Sequence, residues 1–316
     1  VIRVSSGTAQ VIGLKETKND APPTTAYLMT GQKCRSDCAF CPQGRSSQSR
    51  ADLLSRITWP EFDSGRVVEG VASAYENHRL GRTCLQVTNT GESLERAREM
   101  VQKLRGVSDV PICVSCSVGG VEEAQELVMI GADRVGLALD AACERVYRSC
   151  KSGSWSRTLS LIEEAARKLP GRISTHLIVG LGETEAEIIE MIQHMADLGV
   201  TVGLFAFTPV KGTRLEGRSQ PPLDSYRRVQ VARHLIAQGI AAVNQFRFDN
   251  NGTIVAYGLD REELRTALAG GDAFRTSGCP DCNRPYYNEK PGGVIYNYPR
   301  PLSDDELQES LAVLGL

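Results

Sequence analysis

The strongest constraint on how this 316-residue chain can fold is the alternation of strand-like and helix-like patterns along its middle. Strand-like runs fall at residues 24–29, 83–88, 111–115, 134–139, 172–179, 200–207 and 240–246. Helical periodicity lies between them, at 94–104, 121–130, 158–169, 185–198 and 224–238, and Pro60 is placed to begin a further helix, where a missing N–H does no harm. Gly131, Gly199 and Gly239 stand where helices end and a left-handed residue is wanted. A long βαβα alternation predicts an α/β fold with a parallel sheet covered by helices. Seven strands suit a full or partial (βα) TIM-type barrel spanning 24–250. Residues 1–23 show no clear period, close on Ala21-Pro22-Pro23, and read as an N-terminal extension. Residues 251–316 read as a C-terminal irregular lobe. Gly, Pro, Tyr and Asn dominate it from about Gly270 to Arg300, and a short helix at 303–314 finishes it.

A net charge of −2 supplies no basic field for nucleic acid or a membrane surface. No apolar signal region opens the chain, and no run of 18 or more apolar residues occurs, so a soluble cytoplasmic protein is expected. Ten cysteines in a reducing compartment point to metal or redox chemistry rather than disulfides.

Three of those cysteines, Cys34, Cys38 and Cys41, directly follow the first strand. Zinc sites usually pair two close cysteines with a second pair or with histidines, and neither the spacing nor the odd count fits. Thiolates suit iron–sulfur chemistry, and a 4Fe–4S cluster takes four of them. A set of three leaves one iron open. The segment Cys-Arg-Ser-Asp-Cys-Ala-Phe-Cys resembles the signature of the radical S-adenosylmethionine (SAM) enzymes. The resemblance implies a SAM-binding 4Fe–4S cluster on these thiols, with Phe40 against the adenine.

In a barrel of this kind the chemistry sits at the C-terminal ends of the strands. Thr88-Asn89-Thr90-Gly91-Glu92 resembles the Gly-Glu motif of the family, which binds the methionine amino group; a helix cap with an acidic first turn is the other reading. Asp140 stands where the related biotin synthases hold the ribose hydroxyls, and a capping role competes. The segment from Ile178 through Gly180 to Thr184 resembles the adenine floor of biotin synthase, and the segment from Thr208 through Val210 to Thr213 matches it too.

Cys279 and Cys282 form a Cys-Pro-Asp-Cys turn, which places two sulfurs on one centre. Cys84 and Cys116 at strand positions complete an expected second iron–sulfur cluster, of 4Fe–4S type. Cys113 rivals Cys116: it aligns with a biotin synthase ligand, whereas Cys116 lies nearer the strand end. A zinc knuckle is the bland alternative for Cys279/Cys282. Cys143 and Cys150 read as structural. Where biotin synthase has a third cysteine on the fifth strand this chain has Ser174, and Arg247 is the match for that family's arginine ligand. No N-terminal cysteine triplet of the single-chain lipoyl synthases precedes Cys34. The lobe sequence from Thr276 to Glu289 resembles biotin-synthase-like proteins that make lipoyl groups with two cooperating radical enzymes.

These resemblances imply radical sulfur insertion into a protein-bound octanoyl chain. The expected partners are an octanoylated lipoyl carrier protein, a second radical SAM protein and an electron donor such as ferredoxin or flavodoxin. Arg284, Tyr286, Tyr287 and Lys290 either dock the carrier or pack the lobe. The alternatives are biotin-synthase-like transfer to a small molecule, a non-sulfurating radical enzyme, and an iron–sulfur carrier.

Overall fold

The computed structural model describes residues 1–16, 21–289 and 292–316. Its strands, in chain order, are β1 (Ile2–Val4), β2 (Thr25–Thr30), β3 (Leu53–Leu54), β4 (Ile57–Thr58), β5 (Glu61–Phe62), β6 (Arg82–Val87), β7 (Ile112–Ser115), β8 (Arg134–Gly136), β9 (Ile173–Val179), β10 (Thr201–Ala206), β11 (Arg247–Phe248) and β12 (Ile254–Ala256). Eight of them form one sheet in the order β10-β9-β8-β7-β6-β2-β1-β5. The run from β2 to β10 is parallel, with helices in the crossovers. Six parallel strands therefore make a partial barrel, with β10 at one edge.

The side-chain period of two sorts each strand into faces. Leu28, Leu85, Val114, Val135, Leu177 and Leu204 are at most 1% exposed and join the main apolar cluster with the helices. Their neighbours Tyr27, Cys84, Cys113, Ser115, His176 and Phe205 line the lumen. Burying one face beneath helices leaves the other free to carry chemistry.

Two expectations need correction. Residues 240–246 form no strand. Gly239 ends the helix Leu223–Ala237 with positive φ, and a 3-10 turn follows at Val243–Gln245. The backbone donors that a ladder would use go to side chains, Ala242 N to Gln245 Oε1 and Val243 N to Gln193 Oε1. Pro60 does not open a helix either. It precedes β5, and the helix Ser64–Glu76 starts behind the Asp63 cap, which accepts from Arg66 N. The N-terminal segment is also more structured than its lack of period implies. β1 pairs antiparallel with β2 and with β5, and the helix Ser6–Val11 follows. Three residues are too few for a period to show.

The lobe closes the open side. At the β10 edge, Leu204 N donates to Ser277 Oγ, Arg284 Nη2 donates to Leu204 O, and Asn288 Nδ2 donates to Ala206 O. An edge strand presents unpaired backbone groups, and here side chains of the lobe occupy them. At the base of the barrel Asp281 O accepts from Thr24 and Thr25 Oγ1, and Arg82 Nε donates to Pro280 O. The buried Arg227 holds the returning segment by donating to Ile295 O and Tyr296 O. Among the described residues no helix is long and apolar enough to cross a membrane.

Candidate active site

The cysteine loop leaves the C-terminal end of β2 and is fixed mostly by backbone bonds. Cys34 N donates to Gln43 O, Arg35 N to Asn89 O, Ala39 N to Cys150 O and Cys41 N to Cys38 O. Gly44 lets this turn close tightly, since an added Cβ would sit 3.1 Å from both Cys38 O and Cys41 O. The loop sets Cys38 and Cys34 near enough to Cys41 for their charges to act on it. Burial pushes the Cys41 thiol up to about 12, with neighbouring Cys38 and Cys34 adding to the shift. Burial likewise raises Cys38, against the opposing charge of Lys151. Thiols in such surroundings ionise when a metal takes them. Three closely set thiols with one coordination place to spare fit a 4Fe–4S cluster that binds SAM.

Phe40 and Cys41 open onto a cavity of about 1250 Å³, counting its mouth, that runs down the lumen. Asp140, Ile178 and Val210 line it as well. Asp140 has a φ of 62°, unusual for a residue with a side chain, and its carboxylate lies 2.6 Å from Lys151 Nζ. The other expected SAM residues do not line this cavity. Asn89 ties the β6 end to the cysteine loop, through its carbonyl to Arg35 and its Nδ2 to Ser36 Oγ. Gly91 lies under the Arg35 guanidinium, and Glu92 is exposed and paired with Arg96 at 2.7 Å. Gly180, at φ 101°, would set a Cβ 3.0 Å from Pro221 rather than against the lumen, and its N–H donates to Glu183 Oε1.

The second thiol set lies at the base of the same cavity. Cys84 and Cys113 are register partners on β6 and β7, and the lobe brings Cys279 and Cys282 to them. Cys113 and Cys279 Sγ are 3.9 Å apart, and Ser174 Oγ is 3.9 Å from Cys113 Sγ. The lobe thus supplies a sulfur beside the position where the fifth strand has none. Cys116 does not join this set. It lies an odd number of residues beyond Cys113, so it turns out of the lumen into the core, where burial pushes its thiol up to about 12. The expectation that the site would sit at the strand's C-terminal end fails because the lobe reaches it from below. Among the described residues no three Cys, His, Asp or Glu side chains close on a single metal ion.

The charge around this set is positive. Arg82 borders it with Nη1 buried and, among the described residues, unpartnered. Arg284 stacks on Phe205 at 4.0 Å and approaches Cys282 Sγ to 3.6 Å. The contact with Cys113, then burial, holds the Cys279 thiol up, while Arg134 and Arg82 pull it down. Four thiols among buried cations fit a multinuclear anionic cluster. Arg247, expected as an arginine ligand, is exposed on β11, away from the cavity, and Arg284 is the guanidinium at the thiols. Arg284 and Tyr287 are buried, so they pack the lobe and offer no docking surface. Tyr286 adopts a φ of 62°, and Lys290 lies outside the described residues. Cys150 is buried and Cys143 half-buried, both in the packing around the helix Glu144–Cys150.

Sequence reasoning missed Arg3, Lys151 and His176. Arg3 on β1 donates to Gln43 Oε1, Ala51 O and Gly31 O, tying both ends of the cysteine loop to the sheet. His176 faces the lumen edge-on to Phe205, and burial lowers its pKa to about 4. Its place two residues after Ser174 on a lumen face was the available signal.

The sequence profile of the radical SAM superfamily matches residues 28–195, just over half of the chain. The chain is 27% identical over 208 residues to the biotin synthase of Desulfatibacillum aliphaticivorans, covering 64% of this chain and 60% of that one. It is 26% identical over 228 residues to the biotin synthase of Pelobacter propionicus, covering 70% and 67%. The chain therefore spans about three-fifths of the length of the first of these relatives. Among solved structures it resembles methylornithine synthase (TM-score 0.54, 13% identity, 74% of this chain and 77% of that one). It also resembles the FeFe-hydrogenase maturase HydG from Carboxydothermus hydrogenoformans (TM-score 0.55, 16% identity, 98% and 69%). At such identities these two show the fold alone.

Proposed function

The chain belongs to the radical SAM superfamily, a family that implies a 4Fe–4S cluster and SAM, and we propose that it inserts sulfur into a protein-bound octanoyl chain as a lipoyl synthase component. The observation that carries this reading is the single cavity that joins the Cys34/Cys38/Cys41 loop to the Cys84/Cys113/Cys279/Cys282 set. When bound, the first cluster and SAM supply a 5′-deoxyadenosyl radical, and the second cluster supplies sulfide.

The protein's own part is to hold, orient and exclude. Cys34, Cys38 and Cys41 hold the first cluster. Phe40, Ile178 and Val210 wall the adenosyl side, with Asp140 toward the ribose. Cys84, Cys113, Cys279 and Cys282 hold the second cluster, and Arg82 and Arg284 balance its charge. The stretch between is bordered by Trp59, Leu54, Tyr27, Tyr287 and Phe207. Of the charged side chains lining the cavity, Arg82 and Arg284 lie at the thiols and Asp140 is paired with Lys151. That leaves apolar walls for the substrate, which suit an aliphatic chain.

The biotin synthases among the relatives favour a second reading, sulfur transfer to a small molecule. One experiment separates the two. The anaerobically reconstituted protein is given reductant, SAM and an octanoyl-lysine peptide, with and without a second radical SAM protein. Sulfur in the peptide together with 5′-deoxyadenosine supports the proposal. Formation of 5′-deoxyadenosine with an unchanged peptide in both arms overturns it.

A further inference from the structure

One strand runs the depth of the lumen. On β9, Ser174, His176 and Ile178 share the face that borders the cavity. Ser174 Oγ lies 3.9 Å from Cys113 Sγ, at the second thiol set, while Ile178 walls the adenosyl side. Two residues of strand advance about 6.6 Å, so His176 stands halfway between the two ends. Its register partner on β10 is Gly203, where an added Cβ would sit 3.2 Å from His176 Cδ2 and 3.2 Å from Arg284 Nη1. The glycine leaves the imidazole its place, and Phe205 meets the ring edge-on at 5.2 Å.

The ring is held by packing and not by hydrogen bonds. Among the described residues neither of its nitrogens has a hydrogen-bond partner. Burial outweighs the pull of Asp140 and keeps the imidazole neutral, so it offers the cavity one donor and one acceptor. Other polar groups of the lumen are engaged: Gln86 Nε2 with Cys84 Sγ, Thr175 Oγ1 with Leu137 O, and Asn288 Nδ2 with Ala206 O. Buried polar groups are paired in native proteins, and one left open in an apolar cavity is placed to orient a ligand. The apolar walls attract an aliphatic chain without direction. They do not fix how far it runs in, and attack on one chosen carbon needs that depth to be set.

We propose that His176 sets the depth of the substrate in the lumen by donating a hydrogen bond to a neutral carbonyl that the substrate carries, such as that of an amide. The inference rests on the reading that an acyl chain lies between the two thiol sets. A free carboxylate is disfavoured at this level, because Lys151 is paired with Asp140 and Arg284 donates to Leu204 O and Ser277 O. His176 therefore selects a chain joined through an amide over the free acid. Its role is positioning, and no bond is made or broken at the ring.

The test compares two peptides on the holoprotein with SAM and no reductant. One carries octanoyl-lysine; in the other a trans-alkene of the same shape replaces the octanoyl amide. The ratio of their Kd values measures the preference for the amide. From the parent to His176→Leu that preference should fall about tenfold, the worth of one buried hydrogen bond. His176→Gln, which keeps a donor, should fall less. On reduction with a perdeuterated octanoyl chain, the share of 5′-deoxyadenosine that carries deuterium should fall about threefold or more in His176→Leu. The same preference in the parent and His176→Leu overturns the proposal. So does an unchanged deuterium share, since the chain then finds its depth without the ring. Should His176→Leu lose iron, His176→Met takes its place in both measurements. If the parent binds neither peptide, the octanoyl reading itself has failed and the inference falls with it.

Discussion

Cys113 and Cys279 place their sulfurs 3.9 Å apart although 166 residues separate them. One comes from the start of a barrel strand and the other from the lobe, so their meeting reports that the lobe is seated in the base of the barrel. Cys113→Ser and Cys279→Ser should each lower the iron content of the reconstituted protein by about four atoms per chain. Cys116→Ser should leave it unchanged. Iron and sulfide analysis on the three variants checks this. A loss in Cys116→Ser equal to that in Cys113→Ser would reverse the assignment.

Arg3 secures the cysteine loop from outside it. Its guanidinium spans Gln43 Oε1, Ala51 O and Gly31 O at 3.1, 2.6 and 2.7 Å. Arg3→Met strands these acceptors and should cost about 3 kcal/mol in denaturant unfolding. Occupancy of the first cluster should fall while the second keeps its iron. Arg3→Lys should recover only part, since an ammonium cannot fork between three acceptors.

The Asp140–Lys151 pair is nearly sealed, with side chains 12% and 8% exposed. Lys151→Met leaves a buried carboxylate without its partner and should destabilise the protein by about 3–5 kcal/mol. Asp140→Asn/Lys151→Met should restore much of that stability yet still bind SAM weakly. Calorimetric unfolding and SAM titration of both variants separate the packing role from the binding role.

His176 gives the molecule an acid-side sensitivity. Burial holds its pKa at about 4 against an ordinary value of 6.5, so the folded protein declines a proton that the unfolded chain accepts. Between those values the unfolded state binds more protons, and stability therefore falls as pH drops. The loss should be about 1 kcal/mol between pH 7.5 and 5.5 and about 3 kcal/mol by pH 4. Unfolding free energies for the parent and His176→Gln across that range should converge towards pH 5.5 as the histidine's advantage is lost.

Much of the barrel was legible because its strands carry local signals: apolar runs bounded by turn residues, and helices with glycine stops at Gly131, Gly199 and Gly239. The cysteine triplet was legible because its spacing is local too. What failed was long-range. Choosing Cys113 over Cys116 required knowing which strand face meets the lumen and that the lobe enters from below. Arg3 acts across 28 residues or more, Lys151 reaches Asp140 from 11 residues away, and His176 acts through burial, and no local period marks them. Arg284 was legible only as one member of a motif, because its burial depends on Gly203 and Gly278 leaving room for the guanidinium.

The edge of β10 is completed by Ser277, Arg284 and Asn288 rather than by another strand. Side chains set no register, so this wall can be exchanged for another without shifting any strand of the sheet. A chain that kept the same six parallel strands but replaced this segment would inherit the mouth with its three cysteines and receive a new floor. The division of labour between reagent and reaction is thus written into the connectivity: one end of the lumen is constrained by the sheet, and the other is free to vary.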